Sequence, residues 1–247
     1  MFKTSGKGNK ALALPFKLAA LVVCGLCAQA DAGEFTISPI RIYMNPEDRA
    51  VAITINNEGD QPLVMQADLY TWSQDLEGNE VLELSEDIFL SPPIIKLEPN
   101  GRQVVRLARL NNAAPTEQLT YRLIAREIPE AAAPTDGAQV QIALALSLPI
   151  FITPRNAKSE LACTFDQAST SSHVVCENVG TAYAQPRAMV LSDAEGQTLA
   201  ELQPASYILP GIKMSYDLPT DSIASGADKL QVTLDDNSQV MFDISPE

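Results

Sequence analysis

The residues able to do chemistry are few, and their spacing narrows what that chemistry could be. The single histidine, His173, follows Ser171 and Ser172. Hydroxyls beside an imidazole suit nucleophilic catalysis, but such a site also needs an orienting acid and oxyanion donors, and the neighbouring sequence marks neither. One histidine also argues against histidine-based metal sites. Glu83, Glu86 and Asp87 lie close enough for paired-carboxylate work, yet a solvated loop accounts for them better. Asp235-Asp236-Asn237 resembles a scrap of a calcium loop, but it lacks that loop's spacing and terminal glutamate. It reads as a hairpin turn between Val232-Leu234 and Val240-Phe242. No phosphate-cradling glycine motif occurs. These absences point to a protein that is not an enzyme and carries neither metal nor cofactor.

The four cysteines divide into two pairs. Cys24 and Cys27 lie in an N-terminal segment where Lys3, Lys7, Lys10 and Lys17 precede an apolar stretch, Leu18 to Cys27, and then Ala28-Gln29-Ala30-Asp31-Ala32. A basic region, a short apolar region and small residues at a cleavage site describe a secretory signal peptide over residues 1–32, cut after Ala30 or Ala32. The apolar run is too short to span a bilayer, and the residues around the two cysteines fit a lipidation signal badly. The expected mature protein is therefore exported and not inserted in a membrane. Cys163 and Cys176 remain, and an even count in an exported chain suggests a disulfide. Closing the twelve-residue loop between them would contribute about 2–3 kcal/mol by chain entropy.

The chain of 247 residues has 17 basic and 31 acidic residues, for a net charge of −14. Without the lysine-bearing leader the balance falls to −17, which makes a nucleic-acid partner a poor expectation because such binding neutralises phosphates. At 46% hydrophobic residues the chain can bury a sizeable core.

The elements that position these residues read as β throughout. Val51-Ile53-Ile55, Leu63-Met65-Ala67-Leu69, Val105-Leu107 and Leu119-Tyr121-Leu123-Ala125 alternate with small or polar residues. Asn57-Glu58-Gly59-Asp60, Pro92-Pro93, Pro99-Asn100-Gly101 and Asn111-Asn112 punctuate them. After Pro154 the pattern restarts, through Val174-Cys176, Met189-Leu191, Met214-Tyr216 and Val240-Phe242-Ile244. The expectation is an all-β chain of two immunoglobulin-like sandwiches, residues 33–154 and 155–247. Residues 139–152 stand out: Val140, Ile142, Leu144, Leu146, Leu148, Ile150 and Ile152 would share one face of a strand about 45 Å long. An ordinary sandwich strand uses two or three inward positions. The surplus must pack on the second domain or on a different protein.

Ser38-Pro39-Ile40-Arg41, Ile55-Asn56-Asn57, Ser91-Pro92-Pro93-Ile94, Leu97-Glu98-Pro99, Val105-Arg106-Leu107 and Arg126-Glu127-Ile128-Pro129 follow one another in a specific order. In that order and spacing the chain resembles the PapD-like periplasmic pilus chaperones, over almost the whole mature length. Trp72-Ser73-Gln74 and Ser147-Leu148-Pro149-Ile150-Phe151 are similar to the archaic, spore-coat-U-associated branch. The resemblance implies two sandwiches set at an angle, a periplasmic location, and pilus subunits and an outer-membrane usher as partners. It implies that the chain folds and caps subunits by donor-strand complementation, inserting alternate side chains into a subunit groove. Val140, Ile142, Leu144 and Leu146 match the donor row. Arg41 matches the first residue of a basic pair that holds the subunit's C-terminal carboxylate. The second falls at Pro149, which supplies no charge, leaving Arg122 or Arg155 as replacements. The competing reading is an exported structural or adhesive protein with tandem immunoglobulin-like domains.

Overall fold

The structure, a computed structural model, describes residues 35–111, 113–129, 142–167, 172–218 and 226–244. The expected signal peptide with Cys24 and Cys27, and the first donor-row residue Val140, lie outside the described residues. The period-two stretches form strands because each buries one row of side chains and leaves the other to solvent. In the first half these are β1 (Phe35–Ser38), β2 (Ile42–Met44), β3 (Ala50–Asn57), β4 (Leu63–Gln74), β5 (Glu80–Leu84), β6 (Ile88–Ser91), β7 (Ile94–Leu97), β8 (Arg102–Arg109), β9 (Leu119–Glu127) and β10 (Ala145–Ile152). In the second half they are β11 (Leu161–Gln167), β12 (Ser172–Asn178), β13 (Pro186–Ser192), β14 (Thr198–Leu202), β15 (Lys213–Asp217), β16 (Lys229–Leu234) and β17 (Gln239–Asp243). All belong to a single unit spanning residues 34–247.

The first sandwich stacks a sheet ordered β1-β3-β8-β6 on one ordered β2-β10-β9-β4-β5, with β7 beside the first half of β4. Its core takes Ile53, Ile55, Val105 and Leu107 from one sheet and Met65, Leu123, Leu148 and Ile150 from the other. The turn at Pro99-Asn100-Gly101 closes tightly enough that the Gly101 N–H donates to the Glu98 carbonyl at 2.8 Å. A Cβ at Gly101 would meet that same carbonyl oxygen at 2.6 Å, so a side chain there is excluded.

The second sandwich stacks β11-β12-β15 on β14-β13-β16-β17. Val174 and Cys176 face Met189, Leu191, Leu230 and Val232 across its core. A disulfide joins Cys163 and Cys176, which are directly opposite one another on β11 and β12. Cys176→Ser is expected to lower the stability of this sandwich by about 2–3 kcal/mol while the first keeps its fold. Thermal unfolding followed by probes placed in each half checks this, and an unchanged melting midpoint reported by the second sandwich would refute it.

The alternating segment is shorter as a strand than expected. Pairing begins at Ala145, and Ile142–Leu144 lie outside any strand. The register explains the difference: Leu146 opposes Ala125 and Ala145 opposes Arg126, so Ile142 would oppose Pro129. Proline has no N–H to offer the ladder. The last rung is the Glu127 N–H donating to the Leu144 carbonyl at 2.8 Å.

Candidate functional site

Exposure rises steadily along the even row of the alternating segment. Ile152, Ile150 and Leu148 are buried in the first core, and Leu146 packs on its margin. Leu144 is 38% exposed and Ile142 is 75% exposed. Among the described residues, the same stretch carries an uncovered edge. β9 flanks β10 along its whole length, but on the other side β2 pairs in parallel only with Ile150, Phe151 and Ile152. The Glu127–Leu144 bond sets even residues to bond toward β9, so the backbones of Ala145 and Ser147 face the open edge. Pro149 lies on that side too, where its missing N–H breaks no bond with β9.

Arg41 follows β1 rather than lying within a strand, and it reaches across to the second sandwich. Its Nη1 donates to Asp235 Oδ2 at 2.6 Å and its Nη2 to Gln185 Oε1 at 2.8 Å. Tyr183 Oη donates to the same Asp235 oxygen at 3.1 Å and accepts from Tyr43 Oη at 2.8 Å. Arg41, Tyr43, Tyr183, Asp235 and Asp236 line an open cleft of about 360 Å³. Partial burial pulls the Arg41 guanidinium down, but its contacts with Tyr43, Tyr207 and Asp235 outweigh that and hold it above the ordinary arginine value. Arg41 is charged at every working pH. Burial, the bond to Tyr43 and the Asp235 charge all push the Tyr183 hydroxyl up, so it remains a donor.

The two other arginines fare differently. Arg122, on β9, is buried, pairs with Glu80 and lies over the Trp72 ring at 3.7 Å. Its guanidinium carbon is 5.7 Å from the Tyr207 ring centroid, and that of Arg41 is 5.6 Å from the same centroid. One aromatic ring therefore serves both cations. The Nε–H of Arg122 and the indole N–H of Trp72 have no acceptor among the described residues. Arg155 is 77% exposed and ion-paired with Glu47 at 2.9 Å, away from this cluster. Among the described residues no group of histidine, cysteine or acidic side chains is arranged to hold a metal. No helix there is long and apolar enough to cross a membrane.

The carboxylates weighed as candidate chemistry separate. Glu83 is exposed on β5, while Asp87 accepts from Tyr121 Oη at 3.2 Å. His173 Nδ1 lies 2.7 Å from Asp217, on the neighbouring strand β15. Asp235-Asp236-Asn237 does form the hairpin turn between β16 and β17, with Asn237 at a φ of 65°.

Residues 34–158, just over half of the chain, match the family model described as "Pili and flagellar-assembly chaperone, PapD N-terminal domain". The chain belongs to this family. Chaperone protein LpfB of Salmonella typhimurium is 25% identical over 143 residues, which cover 56% of this chain and 58% of LpfB. Chaperone protein FanE of Escherichia coli is 24% identical over 169 residues, covering 66% of this chain and 69% of FanE. The chain thus spans a little over half the length of the first relative and about two thirds of the second. Among solved structures, a chain of the CsuC–CsuE chaperone–tip adhesion subunit pre-assembly complex, from the archaic Csu pili of Acinetobacter baumannii, has a TM-score of 0.65 at 19% identity. That match covers 85% of this chain and 98% of the other. The likeness is one of fold, the two immunoglobulin-like domains of PapD-like chaperones.

In this PapD-family chain the residues missed by sequence reading are those joining the sandwiches. Tyr43 on β2 and Phe151 on β10 are direct partners in register, as are Phe151 and Thr120. Thr120 Oγ1 donates to the Trp72 carbonyl, and Trp72 opposes Leu82. This row runs across the outer face of the sheet, and Tyr183, Tyr207 and Leu209 of the second sandwich pack on it. Gln74 reinforces the join, donating to the Tyr207 carbonyl and accepting from the Leu209 N–H, both at 2.9 Å. The signal that could have found the row is Phe151 itself, a large aromatic among the small and polar odd positions of its strand.

Proposed function

We propose that this PapD-family chain is a periplasmic chaperone of chaperone–usher pilus assembly. It binds pilus or fimbrial subunits by donor-strand complementation and hands them to an outer-membrane usher, without catalysing a reaction. Residues 1–32 are its signal peptide, residues 33–154 the donor domain and residues 155–247 the second domain. The observation that carries the reading is the edge of β10 left uncovered among the described residues, running back into exposed Leu144 and Ile142. An incoming strand would bond to the backbones of Ala145 and Ser147, while Leu146, Leu144, Ile142 and Val140 enter the subunit's groove. Each such side chain contributes about 1.5–3 kcal/mol when fully buried, before ordering costs. An exported structural or adhesive protein would want this row covered within its own fold.

Arg41 is the anchor for the subunit's C-terminal carboxylate, since a guanidinium can pair both oxygens at once. Arg122 is the second cation in place of Pro149, supported by its sharing of Tyr207 with Arg41 and by an Nε–H that meets no acceptor among the described residues. Arg155 is not part of the pair. Purification from periplasm with identification of bound proteins tests the reading. A small, strand-incomplete β-protein in one-to-one ratio is expected, and Arg41→Ala should weaken its capture by about 2–5 kcal/mol. Recovery of the chain alone would overturn the chaperone reading, and wild-type capture by Arg41→Ala would remove the anchor.

A further inference from the structure

The cleft that would receive a subunit carboxylate already holds one. Both terminal nitrogens of Arg41 are engaged, by Asp235 and by Gln185. The two partners differ in how firmly they are held. Gln185 is buried, and its own amide donates to the Ala205 carbonyl at 2.7 Å, which fixes its direction. Asp235 stands at the start of the β16–β17 turn, its carboxylate bordering the open cleft. Its ligands are the Arg41 Nη1 and the Tyr183 hydroxyl, a set of donors that would suit any carboxylate.

We propose that Asp235 is an internal competitor for Arg41: it occupies the guanidinium in the free protein, and a subunit's C-terminal carboxylate is captured by exchange with it. The inference rests on the anchoring role given to Arg41 above. Exchange is favoured over simple addition by the charges present. Asp235 already balances Arg41, Glu80 balances Arg122, and Asp236 lines the same cleft, so an added carboxylate would put four anions around two guanidiniums. Exchange also couples capture to the join between the sandwiches. Arg41 belongs to the first and Asp235 to the second, so each captured carboxylate releases one of the ties across the join.

The probe is the tripeptide acetyl-Val-Thr-Tyr with a free C-terminal carboxylate, and the control is the same peptide as its amide. Both are titrated into the exported full-length protein and followed by NMR. If Asp235 holds Arg41 at least nine-tenths of the time, apparent affinity is reduced by that fraction, so Asp235→Asn should bind the acid about tenfold more tightly or better. Neither protein should bind the amide, and adding Arg41→Ala to Asp235→Asn should abolish binding of the acid. Asparagine keeps the shape and one acceptor for Tyr183; should it unfold the protein, Asp235→Ala gives the same comparison. Equal affinity in wild type and the Asp235 variant, with loss on Arg41→Ala, overturns the exchange and leaves the anchor standing. Binding that survives Arg41→Ala, or acid bound no better than amide by every variant, overturns the anchor and the exchange together.

Discussion

Aspartate at Ile142 or Leu144 is expected to leave the chain folded but unable to hold a subunit, whereas aspartate at Leu148 or Ile150 unfolds it. All four positions lie on one side of the alternating segment, and only their surroundings differ. Ile150 and Leu148 are buried against Met65, Leu123 and Val105 in the first core. A carboxylate there is left unpaired in an apolar interior, a cost of several kcal/mol that a marginally stable domain does not survive. At Ile142 and Leu144 the free protein already presents the side chain to water, so a charge costs little until a partner covers it. Inside a subunit groove the same charge would be buried and unpaired, and capture would fail. Ala143→Asp and Ala145→Asp point away from the groove and serve as controls. Each variant's melting transition and its recovery of subunit from periplasm are the two readouts. An Ile142→Asp protein that loses its transition would assign this position to the chain's own core. One that melts normally and still captures subunit would remove the position from the donor row. Melting should be followed at several protein concentrations, because self-association could cover the same apolar row.

Much of the fold was legible because it rests on local pattern. Val51, Ile53 and Ile55, or Leu63 to Leu69, alternate so regularly that their inward faces follow from the period of a strand. Turns were legible where chemistry forces them, as at Pro99-Asn100-Gly101, where only a residue without Cβ clears the Glu98 carbonyl. The alternating segment shows the limit of such reading. Periodicity extends from Val140 to Ile152, but pairing needs a partner, and the partner register meets Pro129 opposite Ile142. A strand's length is thus set partly by a residue thirteen positions away in sequence, which the segment's own pattern does not reveal.

The join between the sandwiches was illegible for the same reason, at longer range. Arg41 and Asp235 are 194 positions apart and Gln74 and Leu209 are 135 apart. Nothing in the turn-like sequence Asp235-Asp236-Asn237 marks one of its carboxylates as a partner for an arginine just before β2. Arg122 and Arg155 looked equivalent as sequence letters. One stands on the strand beside Pro149, against Trp72; the other follows β10, at the surface beside Glu47. A strand position separates them from one another: Arg122 is held in register on β9, while Arg155 sits in a turn beyond the end of β10.

Phe151→Ala is expected to uncouple the two sandwiches, at a cost of about 3–5 kcal/mol. Phe151 is fully buried, yet it contributes nothing to the first core, because Ile150 and Ile152 take that face of β10. Its ring lies 4.3 Å from that of Tyr183, 5.6 Å from Tyr43, 5.8 Å from Tyr207 and 6.0 Å from Trp72. Removing the ring leaves a hole at the centre of this cluster, and neighbouring aromatics held by their own backbones close it only in part. The polar ties around the rim, Arg41 to Asp235 and Gln74 to Leu209, then open to water and weaken. Calorimetry should show the halves melting in separate steps, with the disulfide-bearing sandwich and the sandwich that holds β10 each close to its own intrinsic transition. Phe151→Leu, which keeps most of the buried volume, should cost less than half as much and preserve more of the coupling. A Phe151→Ala protein that melts as wild type does would mean that the backbone connection and the rim bonds alone fix the sandwiches, and that the aromatic row adds no stability to the join.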